Sequence, residues 1–234
     1  MATLPVVDAR TLPLFPLPVV LFPGAALPLH IFEPRYRRML ADCMAGDRRF
    51  GLIYCPPGTA ENALPPGQVG CIAGVDSASE LPDGRSNILV SGIERFAFVR
   101  LVPSPAPYHV AEIEPYDDVD ESRDVQQEMA TRVRETFDRM VEAYTVIADQ
   151  PAPVPALPDD PALLPFSVAP LVDMDVDARQ RLLASRSPSH RLRELHQLLM
   201  RAVGPLEQHA QTHRRAAGNG GGPIPQEPGQ EPSA

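Results

Sequence analysis

The sequence predicts an α+β protein of two lobes: a β-rich N-terminal lobe with one inserted helix, then a C-terminal helical lobe containing one long helix. Two observations carry this. Up to about residue 116, apolar residues alternate or form short runs broken by proline and glycine. From about residue 120 they recur every three or four positions, the period of an amphipathic helix. The expected boundaries are residues 1–118 for the β lobe and 119–211 for the helical lobe. Residues 212–234, rich in Gly, Pro and Gln, form an expected disordered tail.

The first elements come from residues 12–40. No formal charge falls between Thr11 and Phe32, a length that could span a bilayer. Yet Pro13, Pro16, Pro18, Pro23 and Pro28 lie within it, and each interior proline would cost a helix about 3 kcal/mol. Short buried strands and turns are predicted instead. Leu27, Leu29 and Ile31 alternate as in a half-buried strand. A helix should follow, with Glu33 at its start, Pro34 in its first position and Gly46 at its stop, placing Tyr36, Leu40 and Cys43 on one face. Residues 50–54 and 69–75 are apolar runs. Pro82-Asp83-Gly84 marks a hairpin turn between 69–75 and 88–90, and 93–102 and 108–113 complete six or seven strands.

In the helical lobe, Val125, Met129, Val133, Phe137, Met140, Tyr144 and Ile147 predict a helix of about seven turns. Residues 151–165 are too proline-dense to be helical throughout. Shorter helices are expected near 163–173 and 176–184. A last helix should start after the cap candidate Ser189 and end at Gly204-Pro205, with Leu192, Leu195, Leu199 and Val203 inward.

Composition narrows the function. The 234 residues carry a net charge of −9 with a pI near 5.1. This argues against general nucleic-acid binding, which needs clustered positive charge. All 21 basic residues are arginine. Without lysine there is no phosphate-loop lysine, no Ser-Lys dyad and no Schiff base. Cys43, Cys55 and Cys71 are odd in number and unpaired in spacing, as free cytosolic thiols would be. The first ten residues lack a basic region ahead of an apolar core, so the cytoplasm is the expected location.

One family resemblance rests on specific residues. Leu12-Pro13-Leu14-Phe15-Pro16-Leu17, Val20-Leu21-Phe22-Pro23-Gly24 and Leu27-Pro28-Leu29-His30-Ile31-Phe32-Glu33-Pro34-Arg35-Tyr36 resemble the N-terminal, substrate-binding domain of the Lon proteases. Phe50-Gly51-Leu52-Ile53, Val69-Gly70, Leu81-Pro82-Asp83-Gly84 and Gly92-Ile93-Glu94-Arg95-Phe96 follow in the same order, over roughly residues 10–205. The resemblance implies a PUA-like barrel in the β lobe and a helical bundle after it. It implies a non-enzymatic recognition module, because a Lon protease also needs ATPase and Ser-Lys peptidase modules, for which this chain is too short and lacks lysine. Expected partners are unfolded or apolar polypeptide segments, or a protein partner, met by the β lobe and the groove it forms with the helical lobe. No membrane and no cofactor is implied. The alternative is an RNA-associated PUA-like module.

Single constellations add little chemistry. Glu33 and Arg95 both sit in apolar context and could pair across the β lobe, since a buried charge needs a partner; both could instead be solvated. Asp173-x-Asp175-x-Asp177 begins like a calcium loop, but Ala178 and Ala184 stand where that loop needs Gly and Glu, so helix capping is expected. His209 and His213 are four apart with no Glu at 210; His30 and His109 read as core or rim histidines. No G-x-S-x-G or G-x-G-x-x-G occurs. Neither catalytic nor metal-binding residues are expected, and a small-molecule hydrolase would require a pocket with a nucleophile and a base. The candidate partner-binding residues are Leu21, Phe22, Pro23, Gly24 and Phe32, which would form an apolar patch if exposed and fill the core if not.

Overall fold

The computed structural model describes residues 10–219 except 152 and 153. Six strands form the N-terminal lobe: β1 (Arg10–Leu17), β2 (Ala26–Ile31), β3 (Arg49–Tyr54), β4 (Val69–Glu80), β5 (Ser86–Val102) and β6 (His109–Pro115), with α1 (Pro34–Ala45) inserted after β2. β1 and β3 are parallel; the other strand pairings are antiparallel. β4 pairs with β3 and β5, β3 with β1, β1 with β6, and β6 again with β5, so the pairings close a circuit. β2 stands outside it, attached only to the N-terminal half of β5.

The apolar runs in β3 and β4 follow from burial on both faces. Phe50, Leu52, Cys71, Ala73 and Val75 join a core with Tyr36, Met39, Leu40 and Cys43 of α1. Ile53 and Ile72, at the alternate strand positions, join a second core with Leu14, Phe96, Phe98 and Ile113. α1 starts at Glu33, carries Pro34 in its first turn and stops at Gly46, as expected. The Pro82-Asp83-Gly84 hairpin is also present, with Gly84 at φ +77°, which its missing Cβ permits.

The helical lobe comprises α2 (Arg123–Ala148), α3 (Leu164–Val168) followed by a 3₁₀ turn (Ala169–Leu171), α4 (Val176–Ala184) and α5 (Pro188–Asn219). It therefore holds two long helices where one was expected. Hydrogen bonds between Glu121 and Ser189, Thr136 and Met200, and Arg139 and Glu207, then the Asp149–His213 pair, advance together along the chain. α2 and α5 accordingly run parallel, and α3 and α4 lie on the long return between them. Ala130, Val133 and Phe137 meet Leu164, Val168, Leu192, Leu195 and Leu199 in one core.

Four helical expectations need correction. Val125 and Tyr144, expected inward, are 50% and 54% exposed; the stripe instead runs through Gln126, Ala130, Val133 and Phe137. Gln126 turns inward because its side-chain amide donates to Glu121 O at 3.4 Å, and small Ala130 allows close packing. The cap of α5 is Ser187, whose Oγ accepts from His190 N at 3.0 Å, and Ser189 donates its amide to Glu121. α5 does not stop at Gly204-Pro205. It continues because Glu207 bridges to Arg139 and Ala210 is buried beyond the proline, so packing against α2 outweighs the missing amide. The tail expected from residue 212 is helical through Asn219; 220–234 lie outside the described residues.

Candidate functional site

The two lobes pack directly on each other. Val20, Phe22 and Val69 pack on Phe166, Ala169, Leu182 and Leu183, with the Phe22 and Phe166 rings stacked at 5.9 Å. Polar contacts cross the same boundary. Gln180 Nε2 donates to Val69 O at 2.9 Å, Tyr116 OH to Ala184 O at 2.8 Å and Arg186 Nε to Asp117 O at 2.7 Å. Apolar residues of both lobes thus fill this boundary as core.

The expected Glu33–Arg95 pair does not form. Glu33 pairs with Arg35 at 2.9 Å on the surface of the β lobe. Arg95, buried in β5, points to the other lobe and donates to Leu183 O, Ser185 O and Asp118 Oδ1. The sequence reading that Arg95 needs a partner was sound, but the nearest acceptors come from the segment after β6 and the end of α4. Arg191 of α5, wholly buried, grips the same Asp118 with both terminal nitrogens. Nothing in the spacing of Arg191 had marked it.

The five partner-binding candidates separate sharply. Leu21 and Phe22 are 2% and 1% exposed and belong to the core. They are held there by a close backbone approach: a Cβ on Gly92 would lie 2.1 Å from Phe22 O. Pro23 is half-buried and bridges to Gly92, while Gly24, exposed at φ +76°, donates its amide to Gly92 O. Phe32 is 59% exposed. It ends the outer face of β2, where Ala26, Pro28 and His30 are also exposed. Pro28 lies opposite Leu89 and His30 opposite Asn87 on β5. His30 hydrogen-bonds Asn87 and stacks on Phe32, with centroids 6.1 Å apart. On β5, Leu89 opposite Pro28 is exposed, as is Ile93 beyond the last residue paired with β2.

Behind Phe32 a polar cluster fixes the start of α1. Arg35 binds Glu61 in a bidentate manner at 2.6 and 2.7 Å and also holds Glu33. Tyr36 OH donates to Glu61 at 3.1 Å and His109 Nε2 lies 3.3 Å away. Burial pushes the Glu61 carboxyl up, but hydrogen bonds from Arg35 and Tyr36 outweigh it and leave the group below its ordinary range. Burial pushes the Cys43 and Cys71 thiols up to about 12, so neither is a thiolate nucleophile at neutral pH.

Concave regions on the helical lobe include two larger ones and a charged one of about 270 Å³ lined by Arg139, Glu142, Glu207 and Arg214 among others. An open one of about 820 Å³ at the α4–α5 turn is lined by Arg181, Ser185, His190 and Glu194 among others. Its residue types could suggest a hydrolase, but Ser185 Oγ donates to Ser187 O, and His190 Nδ1 is 3.9 Å from Glu194, beyond hydrogen-bond reach. The other larger one, about 340 Å³, is lined chiefly by Phe137, Met140, Val141, Tyr144, Leu171 and Leu206. Asp175 caps α4 by accepting from Ala178 N at 2.6 Å, as its position suggested. Among the described residues no three His, Cys, Asp or Glu gather as a metal site, and no helix is long and apolar enough to cross a membrane.

This arrangement, a β lobe with a closed circuit of strand pairings packed on a helical lobe, defines a two-lobed α+β protein. Residues 11–201 match the model of the ATP-dependent protease La (LON) substrate-binding domain, and the chain belongs to that family. It is 29% identical over 203 residues to Lon protease 1 of Herpetosiphon aurantiacus and 25% identical over 205 residues to Lon protease 1 of Myxococcus xanthus. These alignments cover 80% and 84% of this chain but 24% and 25% of the relatives. The chain thus spans about a quarter of the curated proteins it matches. Among solved structures, the Lon N-terminal domain protein from Xanthomonas campestris is 26% identical with a TM-score of 0.57, covering 80% of this chain and 96% of that one. The N-terminal domain of Mycobacterium avium complex Lon protease shares the fold at a TM-score of 0.62 and 17% identity, covering 82% and 98%.

Proposed function

We propose that this chain is a non-enzymatic protein-recognition module that binds unfolded or apolar polypeptide segments, or a protein partner, through the outer face of β2 and β5. The observation that carries this reading is the exposed outer face of β2, which ends at Phe32 and includes Pro28 with the exposed Leu89 opposite it on β5. Membership of the substrate-binding family supports a protein ligand. The absence of lysine from all 234 residues supports a role without ATP hydrolysis or Ser-Lys peptide cleavage by this chain's own side chains. We read the closed strand circuit as a PUA-like barrel with a boundary near residue 118, and the free buried cysteines as consistent with the cytoplasm.

The test is binding of a permanently unfolded, carboxymethylated protein to wild type and to Phe32→Ser. The variant should fold normally and bind about tenfold more weakly, the scale of losing one aromatic anchor. Unchanged affinity in Phe32→Ser would remove this face. The RNA alternative finds little support, since the exposed aromatics Phe32 and Tyr144 lie on different lobes and form no shared stacking platform. A salt-sensitive RNA complex in filter binding would restore it.

A further inference from the structure

The apolar face of β2 adjoins an open row of main-chain hydrogen-bonding groups. Ala25 O accepts from Gly92 N at 2.9 Å, and the pairing that begins at Ala26↔Ser91 runs without a register shift to Ile31↔Ser86. In an antiparallel ladder only alternate residues exchange bonds with the partner strand. This phase gives Leu27, Leu29 and Ile31 to β5. The main chain of Ala26, Pro28 and His30 therefore points away from it. Pro28 fits because it occupies an outward position, where no amide is required. Among the described residues no other strand pairs with β2.

The open edge thus presents amides at Ala26 and His30 and carbonyls at Ala26, Pro28 and His30. We propose that an extended polypeptide segment adds to this edge as a further strand, with one of its apolar side chains seated on Phe32. This deepens the recognition reading above and rests on it. Strand addition supplies affinity through the main chain and so tolerates varied sequences. The edge also selects its occupant. Two copies paired antiparallel about Pro28 would set proline against proline and make neither central bond. A different chain with any other residue there keeps one, from its own amide to Pro28 O. A foreign segment is therefore favoured over a second copy of this protein.

Residue-resolved amide exchange by NMR tests the proposal on the whole chain, using a short soluble peptide of alternating valine and threonine. At saturation the Ala26 and His30 amides should slow by at least about tenfold, while Leu27, Leu29 and Ile31, already bonded to β5, change little. Phe32→Ser should weaken peptide binding yet retain the slowing at saturation. Ala26→Pro/His30→Pro, with its fold checked by circular dichroism, removes both outward donors and should weaken binding at least about fivefold. Peptide binding without slowing at Ala26 and His30 overturns strand addition and leaves the recognition reading intact. Failure of the peptide to bind at millimolar concentration overturns strand addition too. If the carboxymethylated protein also fails to bind, both readings fall.

Discussion

Asp118 is a single carboxylate facing two buried guanidiniums, and its replacement is the sharpest test of how the lobes are joined. The Arg95 and Arg191 side chains are 5% and 0% exposed, against 28% for Asp118. Arg95 Nη2 donates to Asp118 Oδ1 at 2.5 Å and Arg191 Nη2 to Oδ2 at 2.6 Å, with Arg191 Nη1 also on Oδ1. Carbonyls of Ala162, Leu183 and Ser185 take other N–H groups, and Arg191 Cζ lies 4.5 Å from the Phe166 ring centroid. The carbonyls satisfy donors but bring no negative charge. Burial opposes the charged form of Arg95, and Asp118 counters it.

Removing one partner of a buried ion pair costs about 3–5 kcal/mol because the other charge stays buried. The surviving carbonyls place Asp118→Asn at the lower end, about 3 kcal/mol, which in a domain of this size lowers Tm by about 6–12 °C. Asp118→Ala should lose more and regain part of it in formate or acetate, which can enter the vacated space as an anion. Urea unfolding and calorimetry measure both effects. A loss below about 1 kcal/mol, the scale of an exposed pair, would refute the claim that this carboxylate is what makes two buried arginines tolerable. Replacing all three residues by apolar ones should cost less than Asp118→Ala alone, since that change removes the charges along with their counter-charge.

Gly92→Ala should destabilise by about 3 kcal/mol in urea, because its Cβ would collide with the Phe22 carbonyl at 2.1 Å and neither backbone can yield cheaply; near-native stability would show that the approach is not required. Glu61 has a depressed folded pKa, so its stabilising contribution, about 1 kcal/mol, is present above its unfolded value and is lost as pH falls through the folded one. Glu61→Gln should flatten that part of the stability–pH curve, and an unchanged acid limb would count against the Arg35 clasp. Pro205→Ala restores an amide inside α5 and should slow hydrogen exchange in residues 206–215, with no effect expected in the β lobe.

The β lobe was legible because its signals are local. Prolines at 13, 16, 18, 23 and 28 forbid a helix, Pro34 and Gly46 bracket α1, and Gly84 marks its hairpin. Leu192, Leu195, Leu199 and Val203 fell inward as their spacing predicted. What failed depended on tertiary partners. A count of apolar residues favours Val125 and Tyr144, whereas the packed face of α2 uses Gln126, Ala130 and Thr136, which such counting overlooks. Pro205 reads as a stop until α2 is seen to support the helix beyond it. Phe22 and Phe32 look alike in sequence; one is buried against Phe166 of the other lobe, and the other is 59% exposed and stacks on His30.

That last contrast bears on how recognition can work. The boundary between lobes is filled by Phe22, Phe166, Leu182 and Leu183 and latched by Asp118, so a ligand cannot enter there without breaking a core and a charge cluster. Opening it would forfeit several kcal/mol before any contact with the ligand was made. A surface on β2 asks for no such opening. Its side chains are already exposed, its edge has groups not used by β5, and α1 behind it is held by the Arg35–Glu61 clasp. On the proposed reading, the packed lobes contribute indirectly: they anchor β5, the strand to which β2 is paired, and leave the outer edge of β2 unpaired among the described residues.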